Sequence, residues 1–467
     1  MPGEDTLRAI VHAELTQREE EGCAVEAARA RVDAAGADET LLLAAYDALM
    51  ALPVRDDFPY TEPDTLEAIR TARPRGNTPL PSMTVERDRG DWEDRFLGAW
   101  LGRCVGCALG KPLEDWPFMA GTAGALGWEN VKRWFVGADA WPIADYVPGH
   151  SRAAEKHGLR LASSSHRSER EQIHFMESDD DIRYTVLGLL LLEEKGFDFD
   201  TWDVGQLWHR RLSFAQMCTA ERQAYMNLTQ VTARMEPGKP VDWDVTGAWV
   251  RMHLNPYREW IGAQIRVDGL AYGAASRPEL AAELAWRDAS LSHVKNGVYG
   301  AMFVAAMIAA AFVEDDTARI VEIGLGEIPW ESRLAHAVRT AVQIAHNARD
   351  QEELVGRLWD TFGRYHAVHA INNAALVAAT LIFARDDAAR AITTAVLGGW
   401  DTDCNGATVG SIMGAKRGAA ALPAAWTARL RDTLYAEIVG FHPIAITECA
   451  RRSAAVFHRL RDTLPYG

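Results

Sequence analysis

The chain has 467 residues, 48% of them hydrophobic, and is therefore long enough to bury a sizeable core. A net charge of −16, from 65 acidic and 49 basic residues, argues against a nucleic-acid backbone or an anionic membrane surface as a main partner. Six cysteines do not make a dense disulfide framework, and the first residues lack a secretory pattern, so we expect a cytoplasmic protein.

Apolar residues recur at helical spacing along most of the chain, whereas alternating strand patterns are scarce, so the sequence predicts an all-α fold. Residues 1–90 are expected to form a helical N-terminal extension that ends in a linker containing Pro, Gly and Arg at 71–83. The main domain is expected to span 91–467. The clearest helical runs are 40–52, 182–194, 279–291, 372–383 and 424–439.

Two further stretches stand out by composition. Residues 115–177 are rich in Trp, Gly and Pro and then in Ser and His, which predicts an irregular insertion in the main domain. Its tryptophans, such as Trp116 and Trp134, either stack on a purine or pin the long loop to the surface. The apolar run 298–313 is shorter than the ~20 residues of a membrane span, so it predicts a buried core helix.

Two sets of glycines recur at every fourth position, which places each set along one ridge of a helix. They are Gly98, Gly102, Gly106 and Gly110, and Gly406, Gly410, Gly414 and Gly418. Each glycine inside a helix costs roughly 1 kcal/mol relative to alanine, so bare backbone must serve a purpose there. We expect close helix packing at the centre of the bundle, which would also bring the helix ends to one small site.

Two acidic runs each precede one of the buried helices. They are Glu177-Ser178-Asp179-Asp180-Asp181 and Trp400-Asp401-Thr402-Asp403-Cys404. Helix capping and the helix dipole explain one such run about as well as a binding site does. Two runs beside buried helices are harder to explain by capping, because buried carboxylates must be paired or coordinated. Oxygen ligands of this kind favour Mg²⁺ or Mn²⁺ over zinc.

The order of four motifs resembles that of the ADP-ribosylglycohydrolase family. The motifs are residues 98–114 (GAWLGRCVGCALGKPLE), Ser178-Asp179-Asp180, residues 285–293 (AWRDASLSH) and Gly398-Gly399-Trp400-Asp401-Thr402-Asp403. The resemblance covers roughly 91–440. It implies that 91–467 is a catalytic domain folded as an orthogonal multi-helix bundle, with up to two magnesium ions at its centre.

The resemblance also assigns roles to individual residues. The metal ligands it implies are Ser178, Asp179, Asp180, Asp401 and Asp403. Glu114 matches a glutamate that assists the chemistry, with Asp403 as the second candidate for the catalytic base. His293 matches a histidine that contacts the substrate.

Several positions depart from the family pattern. Cys107 replaces an aspartate, Ser178 and Asp181 replace threonines, and Cys404 replaces a further threonine. We include Cys107 and Cys404 among the substrate-binding candidates. Because a thiol is a poor ligand for magnesium, the centre is expected to hold either one ion or two.

The expected function is hydrolysis of a ribosyl glycosidic bond, with an ADP-ribosyl or other ribosylated small molecule or protein as substrate. One alternative is a hydrolase of a free nucleoside or ribosylated metabolite, which the changed motif positions favour. The other is a binding or structural protein without catalytic activity on the same scaffold.

Overall fold

The computed structural model describes residues 6–76, 78, 87–122, 124–233 and 238–461. Within these ranges the chain forms helices joined by loops, and strand-like pairing is limited to isolated bridges. The all-α prediction is confirmed. Four helices come first: α1 (Leu7–Glu20), α2 (Glu26–Ala35), α3 (Glu39–Met50) and α4 (Leu66–Ala72).

The helices that follow build the main body. Its first half contains α5 (Arg89–Gly110), α6 (Trp116–Met119), α7 (Gly127–Gly137), α8 (Arg152–His157), α9 (Asp180–Lys195), α10 (Thr201–Arg211), α11 (Thr219–Ala233), α12 (Trp243–Met252) and α13 (Asp268–Gly273). Its second half contains α14 (Pro278–Ala289), α15 (Lys295–Ala311), α16 (Thr317–Leu325), α17 (Arg333–Asn347), α18 (Gln351–Phe362), α19 (Ala370–Ala384), α20 (Ala388–Leu397), α21 (Thr402–Arg417), α22 (Ala424–Arg429) and α23 (Ile446–Leu460).

Four of the five clearest helical runs form helices close to the predicted bounds, namely α3, α9, α14 and α19. The fifth prediction, 424–439, is wrong beyond residue 429, where α22 ends. Arg431, Asp432 and Glu437 have positive φ angles, which a continuing helix cannot accommodate. Leu434 instead pairs with Ile444 through main-chain hydrogen bonds.

The N-terminal helices α1 to α3 pack around a small apolar core of their own, separate from the main core. Buried charges join this unit to the main body. Arg258 lies 2.7 Å from the Glu14 carboxylate and 2.9 Å from that of Glu21, and Gln17 donates to Glu259 at 2.8 Å. The predicted linker at 71–83 lies partly outside the described residues, and the division at residue 90 stays a prediction.

The stretch 115–177 contains three short helices, α6 to α8, between its loops. Trp134 is buried and donates from Nε1 to the carbonyl of Pro148, so this tryptophan pins the segment to the core. Trp116 is 57% exposed, which leaves its ring face available to solvent. Trp134 therefore has the anchoring role, whereas stacking of a purine on Trp116 stays a prediction.

The glycine ladders lie against each other in the centre of the bundle, on α5 and α21. A Cβ atom at Gly102 would overlap the main chain of Gly410, and one at Gly106 would overlap that of Gly406. The prediction of close helix packing is confirmed. The run 298–313 lies in the buried helix α15, and within the described ranges no helix has the length and apolarity needed to cross a membrane.

Candidate active site

Three helix ends meet at one point, because the glycine ladders allow α5 and α21 to approach closely. The C-terminal end of α5 continues into a 3-10 turn, Lys111–Leu113, and then reaches Glu114. The Thr402 hydroxyl, at the start of α21, donates to the carbonyl of Gly110 at 2.9 Å. The N-terminus of α9, with its acidic run, completes the group.

The start of α21 is held by a tight turn and by an asparagine of α19. Gly399 and Trp400 have positive φ angles of 65° and 55°, so the chain reverses sharply before the helix begins. Asn373 accepts from the main-chain N–H of Asp401 at 3.2 Å and from the Asn405 amide at 2.7 Å. These contacts fix the orientation of the acidic run before α21, which faces the run before α9.

The two acidic runs come together in the structure. Ligand atoms of Cys107, Asp179, Asp181 and Asp403 all lie within 4.8 Å of one another, and so do those of Asp401, Asp403 and Cys404. Asp403 belongs to both groups. The first group will be called the α9 group and the second the α21 group.

Cationic side chains contact the α9 group. The Lys111 ammonium lies 2.9 Å from Asp179 and donates to the carbonyl of Ser178. The Arg103 guanidinium lies 2.7 Å from Asp181 and 3.0 Å from Asp268, with all three side chains fully buried. The protein itself therefore supplies part of the charge that this group requires.

The carboxylates differ in proton affinity according to their neighbours. Burial opposes ionisation of Asp179, but the Lys111 ammonium outweighs it and lowers the pKa of Asp179 to about 2. Burial, followed by the charge of Asp179, raises the pKa of Asp180 to about 7. Burial also raises the pKa of Asp181 and Asp403 well above their usual range, and Asp179 adds to the effect. So many acids cannot all ionise here unless a further positive charge is present.

Within the two groups of converging ligand atoms, three buried carboxylate oxygens lack a hydrogen-bond donor among the described residues. They are Oδ2 of Asp181, Oδ1 of Asp401 and Oδ1 of Asp403. A buried carboxylate oxygen without a partner is costly. Oxygen ligands converging from separate helix ends suit a hard divalent cation, so the residues present fit such an ion.

Glu114 lies at the edge of this centre. Its side chain is exposed to solvent. Desolvation by the nearby protein, followed by the charges of Asp179 and Asp401, raises the pKa of Glu114 well above its usual range. A carboxylate of this kind binds a proton more strongly than an ordinary glutamate does.

Two of the predicted ligands lie beside the groups of converging ligand atoms rather than in them. Ser178 accepts from the Arg183 guanidinium at 2.9 Å through its hydroxyl, and it is partly exposed. Asp180 is also partly exposed and belongs to neither group. Their roles as metal ligands stay predictions.

The two cysteines lie within the centre. Burial and the neighbouring carboxylates raise the pKa of both Cys107 and Cys404 well above the usual range, so both thiols are neutral. Cys404 also packs against Ile261 and Ile265, which form an apolar wall beside the α21 group. Their contact with substrate stays a prediction.

His293 lies outside both groups. Its side chain is fully buried, its Nδ1 pairs with the Ser292 hydroxyl at 2.8 Å, and its Nε2 lies 4.0 Å from Glu221. Burial and the Arg266 charge lower the pKa of His293 well below its usual range. With no exposed surface in this structure, its predicted contact with substrate has no geometric support.

An aromatic surface adjoins Glu114. His366 stacks on Trp260, with ring centroids 4.1 Å apart and planes at 10°, and the exposed ring of Trp116 lies 5.7 Å from His366. The neighbouring Val368 packs against the apolar wall that includes Cys404. A cluster of aromatic rings, with Trp116 tilted at 49° to His366, thus follows Glu114 in the structure.

Sequence reasoning did not assign Lys111, Arg103 or Asp181 to the site. Asp181 was visible as the third acid of its run, although it was noted only as a departure from a motif. Lys111 and Arg103 are 68 and 78 positions from the acids they contact, so local spacing carried no signal for them.

The fold and the centre define an all-α protein with buried carboxylates at the junction of three helix ends. The chain belongs to the ADP-ribosylglycohydrolase family, whose model matches residues 88–459. A solved "ADP-ribosylglycohydrolase-related protein complex" is similar at 20% identity, covering 79% of this chain and 99% of that chain, with a TM-score of 0.47. No curated protein matches the chain.

Proposed function

We propose that this glycohydrolase is a divalent-metal-dependent enzyme that cleaves a ribosyl bond of an ADP-ribosylated substrate. The observation that carries the proposal is the set of unpartnered buried oxygens on Asp181, Asp401 and Asp403. Mg²⁺ is the ion we expect, and Mn²⁺ would bind the same ligands. The free cysteines fit a reducing compartment such as the cytoplasm.

The reaction is hydrolysis at the anomeric carbon of the ribose. Water forms a new C–O bond there, the bond to the leaving group breaks, and positive charge develops on the sugar ring. A bound divalent ion supplies orientation of the ribose hydroxyls and electrostatic stabilisation. Asp401 and Asp403 would hold this ion.

Glu114 takes the proton of the attacking water in this proposal. Its raised pKa makes it a better base than an ordinary carboxylate, and its access to solvent lets a water molecule reach it. Asp403 was the second candidate base. It is 1% exposed and shared by both groups of ligand atoms, which fits an ion ligand better than a base.

The exposed Trp116 ring lies two positions after Glu114 and offers a face for a purine. This supports a substrate that carries an adenine ring beyond the ribose. The unpartnered oxygens argue against a purely structural protein, because such a protein gains nothing from unpaired buried carboxylates.

The test compares Glu114→Gln and Asp401→Asn with the wild type, in Mg²⁺, on ADP-ribosyl-arginine, ADP-ribosyl-serine and free nucleosides. Each variant should lose about 100-fold or more of its activity, because each removes a proton acceptor or an ion ligand. Glu155→Gln, an exposed glutamate of α8, serves as the matched control. Full activity in both site variants would contradict the proposal, and turnover of free nucleosides alone would favour the metabolite alternative.

A further inference from the structure

Lys111 places an ammonium group inside the acidic centre. Its Nζ lies 2.9 Å from Oδ2 of Asp179 and donates to the carbonyl of Ser178, and the residue is 7% exposed. The side chain starts from the 3-10 turn that follows the α5 glycine ladder. Because α5 is fixed against α21, the ammonium has a fixed position in the centre.

The Lys111 ammonium contacts a carboxylate oxygen of the α9 group that could otherwise bind a metal ion. Oδ2 of Asp179 contacts Lys111, while Oδ1 accepts from the main-chain N–H of Asp181 at 3.0 Å. Oδ1 of Asp181 in turn accepts from the Arg103 guanidinium at 2.7 Å. The remaining member besides the shared Asp403 is Cys107, whose sulfur is a weak ligand for a hard cation.

The α21 group is built differently. No ion pair reaches Asp401 or Asp403 within the parts of the chain that the structure describes, and Oδ1 of each acid has no partner. Both carboxylates are nearly fully buried. No cationic side chain contacts this group among the described residues, whereas Lys111 and Arg103 both contact the α9 group, in which Oδ2 of Asp181 alone lacks a partner.

We infer that Lys111 is a built-in cation that takes the place of a second metal ion, so that the centre binds a single divalent ion on Asp401 and Asp403. The inference rests on the proposed function and specifies how many metal ions the enzyme binds. An ammonium and a divalent ion repel strongly when both must contact the same buried carboxylate. Lys111 therefore keeps a second ion out of the α9 group.

The test counts bound Mn²⁺ in the metal-stripped full chain by equilibrium dialysis and by electron paramagnetic resonance. Wild type should bind one ion per chain with an uncoupled spectrum. Lys111→Met should bind two ions that show magnetic coupling, because the α9 group then lacks its cation. Lys111→Arg keeps the positive charge and should stay at one ion.

Lys132→Met is the matched control, since Lys132 also forms an ion pair, with Glu352 at 2.6 Å, but lies away from the centre. It should bind one ion. If Lys111→Met does not fold, Lys111→Gln replaces it. Two ions in the wild type, or one ion in every folded variant without the Lys111 charge, would overturn the inference.

The two proposals can fail separately. Wild type that binds two ions and hydrolyses its substrate contradicts the inference alone. Wild type that binds no Mn²⁺ contradicts the proposed function as well as the inference.

Discussion

The acidic runs before α9 and before α21 look alike in sequence but differ in how the fold balances their charge. The run before α9 contacts Lys111, Arg103 and Arg183, so the protein supplies its cations. The run before α21 has an asparagine, a thiol and apolar side chains as neighbours instead. We therefore expect the ion at the run before α21, where no cationic side chain contacts the acids among the described residues.

Both runs depend on the glycine ladders for their positions. The approach of α5 to α21 brings Lys111 to the α9 run and Asp403 to both groups. A change in the ladder therefore tests whether the contrast between the two runs depends on that close packing.

Gly410→Ala should have the largest effect. Its Cβ would overlap the main chain of Gly102, which can move only if the two helices separate. We expect a loss of roughly 3 kcal/mol or more in the free energy of unfolding, measured by denaturant titration, together with loss of ion binding.

Gly356→Ala is the control, because its Cβ would make only an ordinary contact with Trp128 and should leave stability unchanged or improved. Equal stability of both variants would show that the ladder does not require bare backbone.

Asp181→Asn should lower the stability of the metal-free protein, whereas Asp401→Asn should not. Asp181→Asn breaks a fully buried pair with Arg103, and we expect it to cost about 3 kcal/mol in the free energy of unfolding. Asp401→Asn removes a buried acid that no cation contacts, so it should keep or raise stability while it abolishes ion binding. Denaturant titration with and without Mg²⁺ measures both effects. An equal loss in the free energy of unfolding in both variants would show that the two runs do not differ in how their charge is balanced.

The sequence indicated the fold class and most of the acids because these leave local patterns. Helical periodicity, the ladders and the acids that precede α9 and α21 are all visible within a few residues of one another. The ammonium of Lys111 and the guanidinium of Arg103 are not, because their partners are distant in sequence and nothing local requires the pairing. The end of α22 was missed for a similar reason, since the residues after it pair with Met176 and Ile444.

Removal of the ion should lower the thermal stability of the wild type. A ligand at 100 times its dissociation constant contributes about 2.7 kcal/mol, which corresponds to a few degrees in Tm for a chain of this size. We expect Mg²⁺ added to the stripped protein to raise Tm by roughly that amount, measured by calorimetry. The shift should disappear in Asp401→Asn and persist in Glu155→Gln, and a shift that survives in Asp401→Asn would place the ion elsewhere.

The smallest expected effect is that of the His366 charge on stability. His366 lies two positions before Val368, which packs against the apolar wall beside Cys404. Its burial between aromatic rings, with His369 nearby, lowers the pKa of His366 to about 4 from an unfolded value of about 6.5. The folded state therefore binds fewer protons between pH 6.5 and 4, so this residue makes folding less favourable as the pH falls through that window and has no such effect above it.

An NMR titration of the His366 imidazole, assigned by loss of its signal in His366→Gln, should give a midpoint well below 6.5. The same ring in urea-unfolded protein should titrate near 6.5, which supplies the control. A native midpoint near or above 6.5 would mean that the imidazole is solvated or paired with an acid.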